Sequence, residues 1–280
     1  MAIVKRITAR LLFNRTLSKD HLPVSASVGM SVLLSGALAL AQAPEAPAAA
    51  HAPPGNPLTP VPRPQARTEG QGQDWAGPRR YRQANAELAP PVAGENRVVF
   101  MGDSITDAWG RKYGQFFPGK PYVNRGISGQ TTQQMLIRFR PDVIERKPKV
   151  VVILAGTNDL AGNTGPMTLE EILDNLMSMV ELARANGIRV VLASILPAID
   201  FPWRADHPNP AQRIISLNAM IEDYAAKKGL VYLDYYSALV DGRKGLKEEC
   251  AEDAVHPNQA GYDIMAPLAE KAIAQALQSR

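Results

Sequence analysis

The 280-residue chain contains one cysteine, Cys250. An intramolecular disulfide is therefore impossible, and no cysteine metal cluster can form. Glu248, Glu249 and Glu252 surround Cys250 with negative charge that disfavours a thiolate, so it reads as structural. Histidine is scarce too: only His21, His51, His207 and His256 could serve as a general base. An excess of charge is missing from most of the chain. The formal net charge is +4, but residues 1–70 carry seven Lys/Arg against three acids, leaving 24 of each sign in 71–280. That balance does not imply a nucleic-acid partner. There is no internal repeat.

What is present falls into three stretches. The first twenty or so residues are basic, and Leu22 to Ala41 carries no charge and ends in Ala39-Leu40-Ala41. Small residues at that point fit a signal-peptidase site, so residues 1–42 read as an export signal. An uncharged run of about 20 residues also suffices for an uncleaved membrane anchor. The expected location is therefore outside the cytoplasm, with membrane contact only through that anchor. Residues 43–70 are rich in Ala and Pro and read as an extended linker holding the solvated His51. Residues 71–280 read as one globular domain.

Within the domain, Trp75–Leu88 has helical character and Pro90-Pro91 stops it. Short apolar runs then alternate with amphipathic stretches. The runs are Val98–Met101, Tyr122–Asn124, Val150–Leu154, Arg189–Ser194 and Leu230–Leu233. The helical stretches are Thr131–Arg140, Thr168–Asn186, Ala211–Lys228 and Gln259–Gln278. Strands spaced by helices predict a parallel sheet with helices on both faces, and ligands bind beyond the C-terminal strand ends of such sheets.

Four polar turns follow these runs. Gly102-Asp103-Ser104 ends the first, which places Ser104 as either a nucleophile at the sheet edge or a helix cap. The chain has no G-x-S-x-G, so the nucleophile elbow of α/β-hydrolases is excluded. A serine hydroxyl needs a base, and Asp253-Ala254-Val255-His256-Pro257 supplies one on a tight turn before the last helix. There Asp253 can hold one imidazole nitrogen while the other faces outward. The alternative is a chance turn that caps the helix. His207, in a proline-rich loop, is the competing base. Gly156-Thr157-Asn158-Asp159 delivers an amide that can donate to an oxyanion, or forms an ordinary Asn/Asp turn. In Asn124-Arg125-Gly126-Ile127-Ser128-Gly129, Gly129 either offers a backbone N–H or is a simple loop glycine.

In this order and spacing, the four turns resemble the blocks of the SGNH/GDSL hydrolase superfamily. The G-D-S matches 102–104, the second-block glycine matches Gly129, G-x-N-D matches 156–159 and D-x-x-H matches 253–256. The likeness spans about residues 97–270 and is similar to the acetylhydrolase-like branch. It implies a flavodoxin-like three-layer α/β/α sandwich of about five parallel strands. It also implies a triad of Ser104, His256 and Asp253, with an oxyanion held by the Ser104 and Gly129 N–H groups and the Asn158 amide. The expected activity is hydrolysis of short acyl esters through an acyl-enzyme, without metal or organic cofactor, on a small-molecule or carbohydrate ester. The alternatives are an acyltransferase acting on a sugar acceptor, and an inactive surface-binding module on the same fold. Ile105, Trp109 and Trp203 are the candidate substrate-lining residues, with a packed aromatic as the other reading of the two tryptophans.

Overall fold

Apolar runs such as Val98–Met101 and Val150–Leu154 have no polar side to turn towards water, so their strands must be covered on both faces. In the computed structural model, which describes residues 74–204 and 209–279, the five runs form β1 (Val98–Gly102), β2 (Tyr122–Gly126), β3 (Val150–Leu154), β4 (Arg189–Ala193) and β5 (Val231–Leu233). All pair in parallel, in the order β2-β1-β3-β4-β5. From β1 the chain goes to β2 on one side, and the next connection crosses back past β1 to β3 on the other, so the winding reverses there and opens a crevice at the C-terminal end of β1. This is the α/β/α sandwich expected from the sequence. The export or anchor segment, the Ala/Pro-rich linker and His207 lie outside the described residues. Among the described residues, no helix is long and apolar enough to cross a membrane.

Alternation along the strands sorts the core into two layers. Val99, Met101, Val151, Ile153, Val190 and Leu192 face α3 (Thr132–Asp142), α5 (Leu169–Ala185) and α6 (Ala211–Lys228). Phe100, Val152, Val191 and Leu233 face α8 (Gln259–Gln278), against Met265, Ala269 and Ile273. Local chemistry fixes the helix starts. Thr168 and Glu171 exchange side-chain and backbone hydrogen bonds of 3.1 and 2.8 Å at the start of α5. The Asn258 side chain accepts from the Gly261 N–H at 3.2 Å at the start of α8. Short helices α2 (Ser104–Ala108), α4 (Thr157–Leu160) and α7 (Tyr236–Leu239) follow the ends of β1, β3 and β5.

The N-terminal helix is shorter than expected. Only α1 (Arg82–Glu87) is helical, and residues 74–81 form turns. Pro78 disfavours helical geometry at the residue before it, so a helix cannot run through Gly77. The freed carbonyls bond across the domain instead. The Trp75 oxygen accepts from Gln134 Nε2 and the Ala76 oxygen from Gln130 Nε2, both at 2.6 Å.

The site end of the sheet is held by one guanidinium. Arg138, on α3, has no exposed side-chain surface. It donates to the Gly102 carbonyl at 3.1 Å, the Arg125 carbonyl at 2.9 Å, Gln130 Oε1 at 2.5 Å and Asp142 Oδ2 at 3.0 Å. Asn85 of α1 completes the cluster by donating to Asp142 Oδ1 at 2.7 Å and accepting from Arg125 at 2.8 and 3.0 Å. Arg138→Met should lower unfolding free energy by about 3–5 kcal/mol, because Asp142 is then left buried without its cation. Arg140→Met, on the exposed side of the same helix, should stay within about 0.5 kcal/mol. Chemical denaturation of both variants checks the difference.

Candidate active site

The strand ends bring four loops together. Asp103, immediately after β1, caps α2 by accepting from the Ile105 N–H at 3.0 Å. Ser104 is thereby the first residue of α2, where a backbone N–H has no partner within the helix. Its Oγ lies 2.8 Å from His256 Nε2. His256 Nδ1 lies 2.8 Å from Asp253 Oδ2. Asp253 Oδ1 also accepts the backbone N–H groups of Val255 and His256, each at 2.8 Å. One carboxylate thus fixes both the turn and the ring it carries. Partial burial raises the Asp253 carboxyl pKa, but those N–H groups and the imidazole outweigh it and hold the pKa below the ordinary range. Asp253 is therefore an anion at neutral pH.

The chain after β2 supplies two glycines, and the structure separates their roles. A Cβ on Gly126 would collide with the Thr106–Asp107 backbone, and the Gly126 N–H is taken by Asn124 Oδ1 at 2.9 Å. Gly126 is the close contact between β2 and α2. Gly129 instead has φ +79°, and an added Cβ would meet only Asn163 Nδ2, at 4.0 Å. Its N–H, like that of Ser104, has no acceptor among the described residues. A positive φ strains any side chain, so glycine is required at 129 by conformation and not by crowding.

Asn158, after β3, is buried, and its Nδ2 donates to the Gln130 carbonyl at 3.1 Å with Asp103 Oδ2 3.4 Å away. Its neighbour Asp159 anchors α3, accepting the Thr132 N–H at 3.0 Å and the Thr132 hydroxyl at 2.5 Å.

Of the three candidate lining residues, two belong to the core. Ile105 has no exposed surface, and Trp109 is buried among Phe100, Phe116, Phe117 and Tyr262. Their positions, one and five residues past Ser104, put them on the far side of the α2 turn. Trp203 is the exception. It is 42% exposed, its ring centre is 6.3 Å from that of His256, and its Nε1 donates to Asn163 Oδ1 at 3.1 Å. Sequence reading missed Asn163, which carries no strand-end signal, and also missed the cleft along α2. That cleft, of about 240 Å³, runs from Ser104 and His256 past Ala108, Arg111, Lys112, Tyr113, Ser128 and Glu252. Arg111 is paired with Asp107 at 2.9 Å and Lys112 with Glu252. A larger hollow of about 320 Å³ lies at the opposite end of β4 and β5, bordered by Arg184, Arg189 and Lys228. Two of these cations donate to chain carbonyls, Arg184 to Lys228 and Arg189 to Ser279. Among the described residues, no cluster of three or more His, Cys, Asp or Glu forms a metal-binding group.

Burial pushes the carboxyls of both Asp103 and Asp159 up to about 6. A carboxyl whose pKa is higher in the folded than in the unfolded chain stabilises most below its unfolded value, and that gain is lost as pH rises through the folded value. The stability advantage of the native protein over Asp159→Asn should therefore shrink between about pH 4 and pH 6, by up to about 3 kcal/mol, and then level off. Urea titrations at pH 4, 5, 6 and 7.5 measure it, and an advantage that grows over this range would contradict the assignment.

Comparison with known proteins follows the same lines. Residues 68–264 match the model of the GDSL-like lipase/acylhydrolase family. The crystal structure of a GDSL-like lipase from Bacteroides thetaiotaomicron superposes with a TM-score of 0.70 and 49% identity, covering 72% of this chain and 98% of that one. An acetylxylan esterase from Geobacillus stearothermophilus is 26% identical over 207 residues, 62% of this chain and 92% of that protein. The uncharacterized lipoprotein YqeF of Bacillus subtilis is 32% identical over 124 residues, 38% of this chain and about half (51%) of that protein. With its serine, imidazole and carboxylate in contact at the edge of a parallel sheet, the chain belongs to the GDSL-like lipase/acylhydrolase family of carboxylic ester hydrolases.

Proposed function

We propose that the protein is a serine esterase that removes short, acetyl-type acyl groups, with Ser104 as nucleophile, His256 as base and Asp253 as its orienting carboxylate. One observation carries the reading: an unbroken chain of contacts from Ser104 Oγ through both ring nitrogens of His256 to Asp253, each step 2.8 Å. His256 Nε2 takes the hydroxyl proton as Ser104 attacks the carbonyl carbon, and returns it to the leaving alcohol. Water then repeats the cycle on the acyl-enzyme. The unpaired N–H groups of Ser104 and Gly129, with the Asn158 amide, receive the negative charge that develops on the carbonyl oxygen.

The cleft supports a short acyl group and a polar alcohol. At about 240 Å³ it is smaller than the pockets that enclose drug-sized ligands. Arg111, paired with Asp107, and Lys112, paired with Glu252, offer hydrogen-bonding groups to a polar alcohol there. Acetylated carbohydrates fit this chemistry, in line with the acetylxylan esterase among the relatives.

Ser104→Ala should reduce kcat by about 10³-fold or more without changing the melt. A serine-directed phosphonate should label Ser104 alone, as mass spectrometry of the digested protein will report. Across p-nitrophenyl esters, kcat/KM should be greatest for acetyl and fall with chain length. An active Ser104→Ala protein would overturn the mechanism, and a rise with chain length would overturn the acyl preference.

A further inference from the structure

Asn163, just past α4, bonds to three parts of the site at once. Its Nδ2 donates to the Gly129 carbonyl at 3.1 Å and to Asn158 Oδ1 at 2.9 Å, and its Oδ1 accepts from Trp203 Nε1 at 3.1 Å. Its backbone N–H donates to the Asn158 carbonyl at 3.0 Å. The two ends of an amide are told apart only by their partners. Two partners of Asn163 leave no choice, because a carbonyl oxygen only accepts and an indole N–H only donates. They fix the Asn163 nitrogen towards Gly129. That nitrogen in turn requires the oxygen end of Asn158 to face it. The Asn158 Nδ2 is therefore turned to the other side, towards the Gln130 carbonyl and Asp103, the residue before Ser104. A reversed Asn158 would set two amino groups against each other.

We propose that Asn163 is a positioning residue, setting the Asn158 amide and the Gly129 turn for oxyanion binding. Through the Trp203 indole N–H it ties both to the loop beside His256. The proposal rests on Asn158 and Gly129 being oxyanion donors. Asn163 itself touches no reacting atom. Its contribution is orientation, and misorienting a catalytic donor by a fraction of an ångström reduces rate more than binding. Trp203 adds a second lock at the mouth of the site, where its exposed ring meets whatever enters.

The test is a mutant cycle on the full-length protein with p-nitrophenyl acetate, measuring kcat, KM, the phosphonate inactivation rate and the melting temperature. Asn163→Ala should lower kcat and the inactivation rate by about 10–50-fold, with KM within about twofold of the native value. In an Asn158→Ala background the same change should cost about threefold, because the amide being oriented is gone and only the Gly129 contact remains to be lost. Trp203→Phe keeps an aromatic side chain and removes the indole N–H. It should lower kcat by about threefold in the native background, with no further loss beside Asn163→Ala. Should Asn163→Ala fold poorly, Asn163→Asp keeps the size and the acceptor for Trp203 but loses both donors, and the same kcat loss is expected. An unchanged kcat, a loss confined to KM, or a full Asn163 effect persisting in the Asn158→Ala background would overturn the positioning role. Asn158→Ala alone tests the reading beneath it. If that variant keeps its kcat, the oxyanion assignment fails and the positioning role with it. If it loses about 100-fold while Asn163→Ala loses nothing, only the positioning role fails.

Discussion

The buried guanidinium of Arg138 is the constraint on which the site depends. A cation with no exposed surface must be surrounded by acceptors, and the acceptors here are the last carbonyl of β1, the Arg125 carbonyl near the end of β2, the Gln130 amide and Asp142. Taking both charges out of water is costly, and the pair is tolerable only because its remaining donors and acceptors are matched. That requirement fixes geometry. The Gly102 carbonyl sits two residues before Ser104, the Arg125 carbonyl four residues before Gly129, and Gln130 directly after it. A displacement of either loop would leave part of the guanidinium unpaired. The N-terminal segment reinforces the arrangement from outside, with Tyr81 donating to the Gly126 carbonyl and Asn85 bridging Arg125 and Asp142. A satisfied buried network of this kind rigidifies its surroundings more than an apolar contact of equal area, because its partners are directional.

Three aspartates in the site illustrate how the same side chain takes different tasks. Asp253 is exposed and accepts two backbone N–H groups and an imidazole, so it is held as an anion. Asp103 and Asp159 are buried, and desolvation pushes both carboxyls up to about 6 despite the N–H groups they accept. Asp103 caps the helix that presents Ser104, and Asp159 fixes the start of α3, the helix that carries Arg138. The D in each of the two strand-end turns is therefore structural support for the helix beside it. The carboxylate next to the imidazole is the one that solvent and backbone dipoles keep charged, as a group stabilising an imidazolium must be.

Much of this was legible in the sequence for a physical reason. Uniform apolar runs such as Val150–Leu154 can only be strands buried on both faces, and Gly-bearing polar turns after them can only lie at the strand ends, where this fold binds ligands. The contacts of Ser104, His256 and Asp253 follow from that placement. What was not legible depended on facing and on tertiary partners. Ile105 and Trp109 adjoin the nucleophile in sequence, yet a helical turn rotates them towards Phe100 and Tyr262. The cleft is instead lined by Ala108, Arg111 and Lys112, four, seven and eight residues beyond Ser104. Arg111 and Lys112 lie past the end of α2, in the turn that follows it. The shortened α1 reflects Pro78, whose effect on Gly77 outweighed the helical composition around it. Asn163 carries no local signal, because its meaning lies in an indole 40 residues away.

The groups left unpaired are as informative as those that are matched. In a domain where even the Arg138 guanidinium is surrounded by acceptors, the N–H groups of Ser104 and Gly129 have no acceptor among the described residues. In Ser104 this follows from its being the first residue of a helix, and in Gly129 from a left-handed turn that leaves the peptide outside any ladder. Both donors are held by backbone geometry, so in the oxyanion role proposed for them no reorganisation would be needed as charge develops. A donor of that kind interacts weakly with a neutral carbonyl and strongly with an oxyanion, which is the difference that accelerates a reaction. Rigidity behind the loops and unpaired polarity in front of them are thus one design. On the proposed mechanism, the buried ion pair and the capped helices hold still the groups that would meet the transition state.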